Sequence, residues 1–199
     1  MQTLSSSPRL ELGLLTRVPT AAGATFVELP LWKLAAGADE LVLARVIELE
    51  AHVFETEEGL VATTLIGLAV ERWIEGSGPA HLHLWEEVGR RSREHGETRP
   101  SETEGEVVSS SAPKYQLGER VLAFLERDQE HRRTYKRAQG KFSVHTSPLG
   151  LKVARDLSEF LVVGFERGSA VLRPGGKMVQ SLEDVLAVVE RTRGWMADA

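Results

Sequence analysis

The sequence predicts a mostly β fold of the α+β class: an antiparallel barrel with a short helix on its N-terminal side and a second helix at its C-terminal end. Three observations predict it. Runs of alternating apolar and polar residues recur between Glu40 and Phe165, the period-two signature of half-buried strands. The longest run changes parity after Val46, which calls for a bulge and hence a curled sheet. Two stretches, one after Pro30 and one after Ser181, carry the apolar period of a helix.

Residues 1–24 read as a flexible tail or a degenerate leader. Leu10 to Leu15 is apolar but contains Glu11, Arg17 breaks the apolar character soon after, and Ala21-Ala22-Gly23-Ala24 has the small residues of a cleavage region. Residues 25–199 form the expected single domain. Pro30 suits a first helical turn, and Leu31, Leu34, Ala35 and Ala38 predict a helix over 31–38. From Glu40, Val42, Ala44 and Val46 share one strand face, and Ile47, Leu49, Ala51 and Val53 take the other parity. The polar stretch Glu55 to Gly59 then returns the chain into Leu60 to Ile74, so these two runs should pair as a hairpin. Gly67 and Ala69 leave one face of the second run nearly bare, which implies close packing there.

Turn residues Glu75 to Pro79 precede a third strand, Ala80 to Val88, and residues 89–111 read as a polar surface loop. In Glu119 to Glu126, Val121, Ala123 and Leu125 oppose Leu122 and Phe124, so both faces are apolar and the strand should be central. A charged turn leads to a strand over Thr134 to Ala138, and Gln139 to Val144 carries the chain onward. Leu151 to Leu157 and Phe160 to Phe165 read as one more hairpin. Ser181 and Asp184 approximate a capping box for a helix over 181–193, whose Leu182, Val185, Leu186 and Val189 face the sheet and which Gly194 should stop. Long, bulged antiparallel strands fit a closed barrel better than an open sheet with a bare edge, and an OB-like barrel is the architecture expected.

Composition narrows the function classes. With 42% hydrophobic and 27% charged residues the chain has the usage of a globular protein and can bury a core. The net charge of -5 argues against a whole-surface affinity for nucleic acid or anionic lipid. Without cysteine there is no disulfide framework, thiolate zinc site or cysteine nucleophile. No apolar run approaches the roughly 18 residues of a membrane span. The chain has no Gly-x-Ser-x-Gly elbow, phosphate loop or dinucleotide fingerprint, and Pro174 to Lys177 reads as a turn, so no cofactor is expected. Glu86 and Glu87 are adjacent and point to opposite strand faces, and each reads as an edge charge.

Two constellations remain. His81, His83 and Trp85 share one face of the third strand; the two histidines are at best a weak metal candidate, because zinc needs three or four ligands. From His131 to Arg155 no acidic residue occurs, while Arg132, Arg133, Lys136, Arg137 and Lys141 are cationic and Tyr135 and Phe142 are interleaved. The leading expectation is a non-enzymatic binding module that takes a protein or carbohydrate partner on the His81, His83, Trp85 face and the 89–111 loop. The alternatives are a single-stranded nucleic-acid-binding barrel using the basic segment and a metal-dependent enzyme using His81 and His83.

Several motifs together resemble an uncharacterised family of predicted exported bacterial proteins: Ala24-Thr25-Phe26-Val27, the helix ending in Ala38-Asp39, Gly118 to Leu125, Gln139-Gly140-Lys141-Phe142, Arg155-Asp156-Leu157-Ser158 and the final helix. The resemblance spans most of residues 24–190 and implies an OB-like barrel, an exported (periplasmic or extracellular) location and a leader over 1–23. It brings no catalytic residue. The N-terminal stretch itself is a poor signal peptide, so on the residues alone a cytoplasmic location stands beside the exported one.

Overall fold

The computed structural model describes residues 25–56, 59–92, 111–128, 131–166 and 169–198; the expected tail and most of the 89–111 loop lie outside the described residues. The elements in chain order are β1 (Thr25–Val27), α1 (Leu31–Gly37), β2 (Glu40–Thr56), β3 (Gly59–Glu75), β4 (His81–Ser92), β5 (Arg120–Asp128), β6 (His131–Thr134), a 3-10 turn (Arg137–Gly140), β7 (Lys141–Ser147), β8 (Gly150–Asp156), β9 (Leu161–Glu166), β10 (Ser169–Pro174), β11 (Lys177–Ser181) and α2 (Leu182–Ala197). The protein is mostly β with two α-helices, as the alternation predicts.

The larger sheet runs β11, β8, β7, β5, β2, β3, β4, β6, and a smaller one runs β1, β9, β10. At the middle of the larger sheet β2 and β5 pair antiparallel, Leu41 opposite Phe124 and Leu43 opposite Leu122. The pleat sends their alternate residues to opposite sides. Leu41, Leu43, Leu122 and Phe124 pack with Leu34 of α1 and Val185 and Val189 of α2. Val42, Ala44, Val46, Val121, Ala123 and Leu125 pack with Ile66, Leu68, Leu82 and Leu84. Two cores therefore share one pair of strands.

The β2–β3 register passes from Val46 opposite Leu68 to Glu48 opposite Gly67, skipping Ile47 where the alternation changes parity. A Cβ on Gly67 would lie 2.8 Å from Cβ of Glu48, so glycine lets the strands close up at the bulge. β6 pairs antiparallel with β5, and also parallel with β4 at Leu84 opposite Arg132. The pairings thus run β5, β2, β3, β4, β6 and back to β5. The larger sheet is mixed rather than wholly antiparallel, because β6 pairs antiparallel with β5 and so meets β4 in the same direction.

Four boundaries depart from expectation. The strand expected over Thr134 to Ala138 is instead His131–Thr134, since Lys136 and Arg137 adopt left-handed φ of 54° and 55° and start the 3-10 turn. That turn brings Gly140 against the chain: a Cβ there would sit 2.1 Å from the Tyr135 carbonyl oxygen. The expected hairpin of 151–157 with 160–165 does not form. β8 pairs with β7 and β11, and β9 with β1 and β10. Leu157 and Phe160 are buried with Ala138 against Phe26, so the connection between them is anchored inward and passes the chain to the other sheet. Residues 89–92 continue β4 opposite Gly59 to Ala62, rather than opening the polar loop. Finally, Ser181 caps α2 as expected, accepting from the Asp184 amide at 3.0 Å, but Gly194 stays helical and the helix runs on to Ala197. No helix among the described residues is long and apolar enough to cross a membrane.

Phe124 is the largest buried side chain in the shared strands, 5.7 Å from the Phe142 ring. Phe124→Ala is expected to cost about 3–5 kcal/mol in chemical denaturation, whereas Trp32→Ala, at a residue 52% exposed, should stay within about 0.5 kcal/mol.

Candidate functional site

Along β4, Leu82, Leu84 and Glu86 are buried, and His81, His83 and Trp85 occupy the outer face. Pairing sets Glu50, Leu65 and Trp85 side by side across β2, β3 and β4, with His52, Thr63 and Glu87 in the next row. The Trp85 ring consequently meets His52 at 5.6 Å, Phe54 at 6.2 Å and, from β6, His131 at 5.9 Å, while His52 stacks on Phe54 at 5.9 Å. Trp85 and His131 of this cluster border a concavity of about 490 Å³. Glu86, Glu87, Glu126 and Asp128 line it together with Arg133, Lys136 and Arg137.

The two histidines singled out with Trp85 do not join the cluster. His81 and His83 are exposed, and the Nε2 of His83 lies 3.4 Å from a carboxylate oxygen of Glu48. Among the described residues no three histidine, aspartate or glutamate side chains gather closely enough to hold a metal ion. His52 and Phe54, which the sequence does not group with Trp85, join it because β2 and β4 flank the same strand, a relation that linear spacing does not carry.

The basic segment is met by carboxylates from elsewhere in the chain. Arg132 donates to Glu40 at 2.6 and 3.1 Å and lies over the Trp73 ring. Arg133 pairs with Glu126 at 2.7 Å and Asp128 at 3.7 Å, and Lys141 pairs with Glu119 at 2.5 Å. Arg137 donates to the Glu87 carbonyl at 3.2 Å, and Lys136 lies 5.1 Å over the Tyr135 ring. Within the stretch that reads as a cationic field, Arg132, Arg133 and Lys141 are neutralised in space.

Glu86 corrects an expectation. It is not an edge charge but is 2% exposed, on the inward face with Leu82 and Leu84. Its carboxylate accepts the Thr134 amide at 2.6 Å, and the Thr134 hydroxyl lies 2.7 Å from the Tyr115 hydroxyl. Burial pushes the Glu86 carboxyl up from 4.5 to about 7, opposed by the Thr134 bonds and by the charges of Arg137 and Arg133. Burial, then the Glu86 charge, pushes the Tyr115 hydroxyl well above its ordinary value. The parity that buries Leu82 and Leu84 already points Glu86 inward; its charge masks the signal.

Comparison with family models, curated proteins and solved structures returns no match.

A carboxyl that binds its proton more tightly when folded contributes stability that is complete below its unfolded value and lost as pH rises through its folded one. Glu86 therefore favours the fold below pH 4.5 and loses that contribution as pH rises through about 7. Relative to Glu86→Gln, the wild type should gain on the order of 3 kcal/mol in urea unfolding as pH falls across that window. A difference that stays flat with pH would show that Glu86 titrates normally.

Proposed function

We propose that this chain is a non-enzymatic binding module built on an OB-like barrel, holding a carbohydrate or a protein surface against Trp85. The pairing order β2, β3, β4, β6, β5 and back to β2, with its one parallel step, supports the barrel, as does the inward core of Val42, Leu68, Leu84 and Leu125. OB barrels take oligomeric ligands on their second and third strands, flanked by the first hairpin loop and the loop between the fourth and fifth strands. On this chain the corresponding strands are β3 and β4.

The observation that carries the reading is the cluster of Trp85 with His52, Phe54 and His131 in that position. An indole face stacks against the apolar face of a sugar ring or a peptide side chain, and neighbouring carboxylates and guanidinium groups take hydroxyl or amide hydrogen bonds. Glu48 and Glu50 on β2, with Glu87, Glu126 and Asp128 around the concavity, make the surroundings acidic and disfavour a phosphate backbone. Export, implied by the family resemblance, would set this face among extracellular glycans and proteins.

The nucleic-acid reading retains one favourable observation, Lys136 and Arg137 at the concavity. Calorimetry on partners drawn from glycan and peptide panels separates the two. Trp85→Ala is expected to weaken binding by about 2 kcal/mol or more, as at a central aromatic contact, while His81→Ala leaves it unchanged. Binding confined to labelled single strands, falling steeply with salt and lost in Arg133→Glu with Arg137→Glu, would replace this reading with the other.

A further inference from the structure

A second concavity of about 490 Å³ meets Glu86 beside Ile66 and Tyr115, which face inward. Leu49, Ile66, Val88, Ala112 and Pro113 give it apolar walls. Lys114, at its rim, is engaged by Glu159. The volume falls within the several hundred Å³ of small-molecule sites, and apolar walls with a few convergent polar groups are the usual makeup of such a site.

We propose that this concavity is a ligand site for a small apolar primary amine, bound as its ammonium ion by Glu86. Glu86 accepts from Thr134, and a carboxylate has about four acceptor positions, so it has capacity for a further donor. The charged groups that act on it are Arg137 in the 3-10 turn and Arg133 on β6; the carboxyl nevertheless holds its proton up to about pH 7. An ammonium ion would take the place of that proton and form a charge-assisted hydrogen bond to a buried carboxylate, which a neutral alcohol of the same shape cannot match. The inference does not depend on the Trp85 reading: Glu86 borders both concavities, but none of the rings that meet at Trp85 lines this one.

Benzylamine and benzyl alcohol are the probes, titrated into the full chain by calorimetry in buffers of differing ionisation heat, with amide shifts followed by NMR. Benzylamine should saturate a single site, bind about tenfold or more tightly than benzyl alcohol, release protons near neutral pH and shift Ile66 and Tyr115. Glu86→Gln should abolish the preference for the amine, and Val88→Trp should block both probes. Val88 is 37% exposed, so that variant fills the concavity from its rim and decides the matter even where Glu86→Gln fails to fold. Trp85→Ala should leave amine binding intact. Absence of saturable binding, equal affinity for the alcohol, or undiminished binding in Val88→Trp would overturn the proposal and leave Glu86 as a structural carboxyl.

Discussion

The structure depends on one pair of strands that is apolar on both faces. β2 and β5 are buried above and below, so they can be satisfied only if apolar layers cover both sides. One layer is made by α1 and α2, the other by β3 and β4 curling back over the same strands. The helices and the curl are two answers to the same demand. Removing either layer would expose Val121 to Leu125 on one side and leave the pair as a bare apolar sheet.

The bulge at Ile47 is what lets β2 serve both tasks. Before it, inward and outward residues belong to the packed centre; after it, the paired strands run on beyond the core and carry His52 and Phe54 to the ring cluster on Trp85. Gly67 allows the strands to close at that step, and a larger residue would push against Glu48. A detail of backbone register thus governs which aromatic residues share a surface.

Much of this is legible in the sequence where the physics is local. The double-sided apolar run of β5, the parity change after Val46, the Ser181 cap and the helix after Pro30 each depend on neighbours within a few positions. The part that stays hidden is non-local. Glu40, which neutralises Arg132, is 92 residues away in sequence, so the acid-free stretch looks more cationic than it is. β8 and β9 look like partners because they are adjacent, yet burial of Leu157 and Phe160 sends them to different sheets. Glu86 passes for a surface residue when residue type is weighed above the alternation of its own strand.

Among the described residues the seam between β4 and β6 is thin: a single register pair, Leu84 with Arg132, against the long β2–β3 ladder. Thermal breathing of the molecule should begin along that seam, where the fewest amides are tied. Trp85 and Glu86 stand on one bank, His131 and Thr134 on the other. A fluctuation there would loosen the ring cluster and the Glu86 hydrogen bond in the same moment, so the two faces of β4 share a common hinge even though their chemistries are separate.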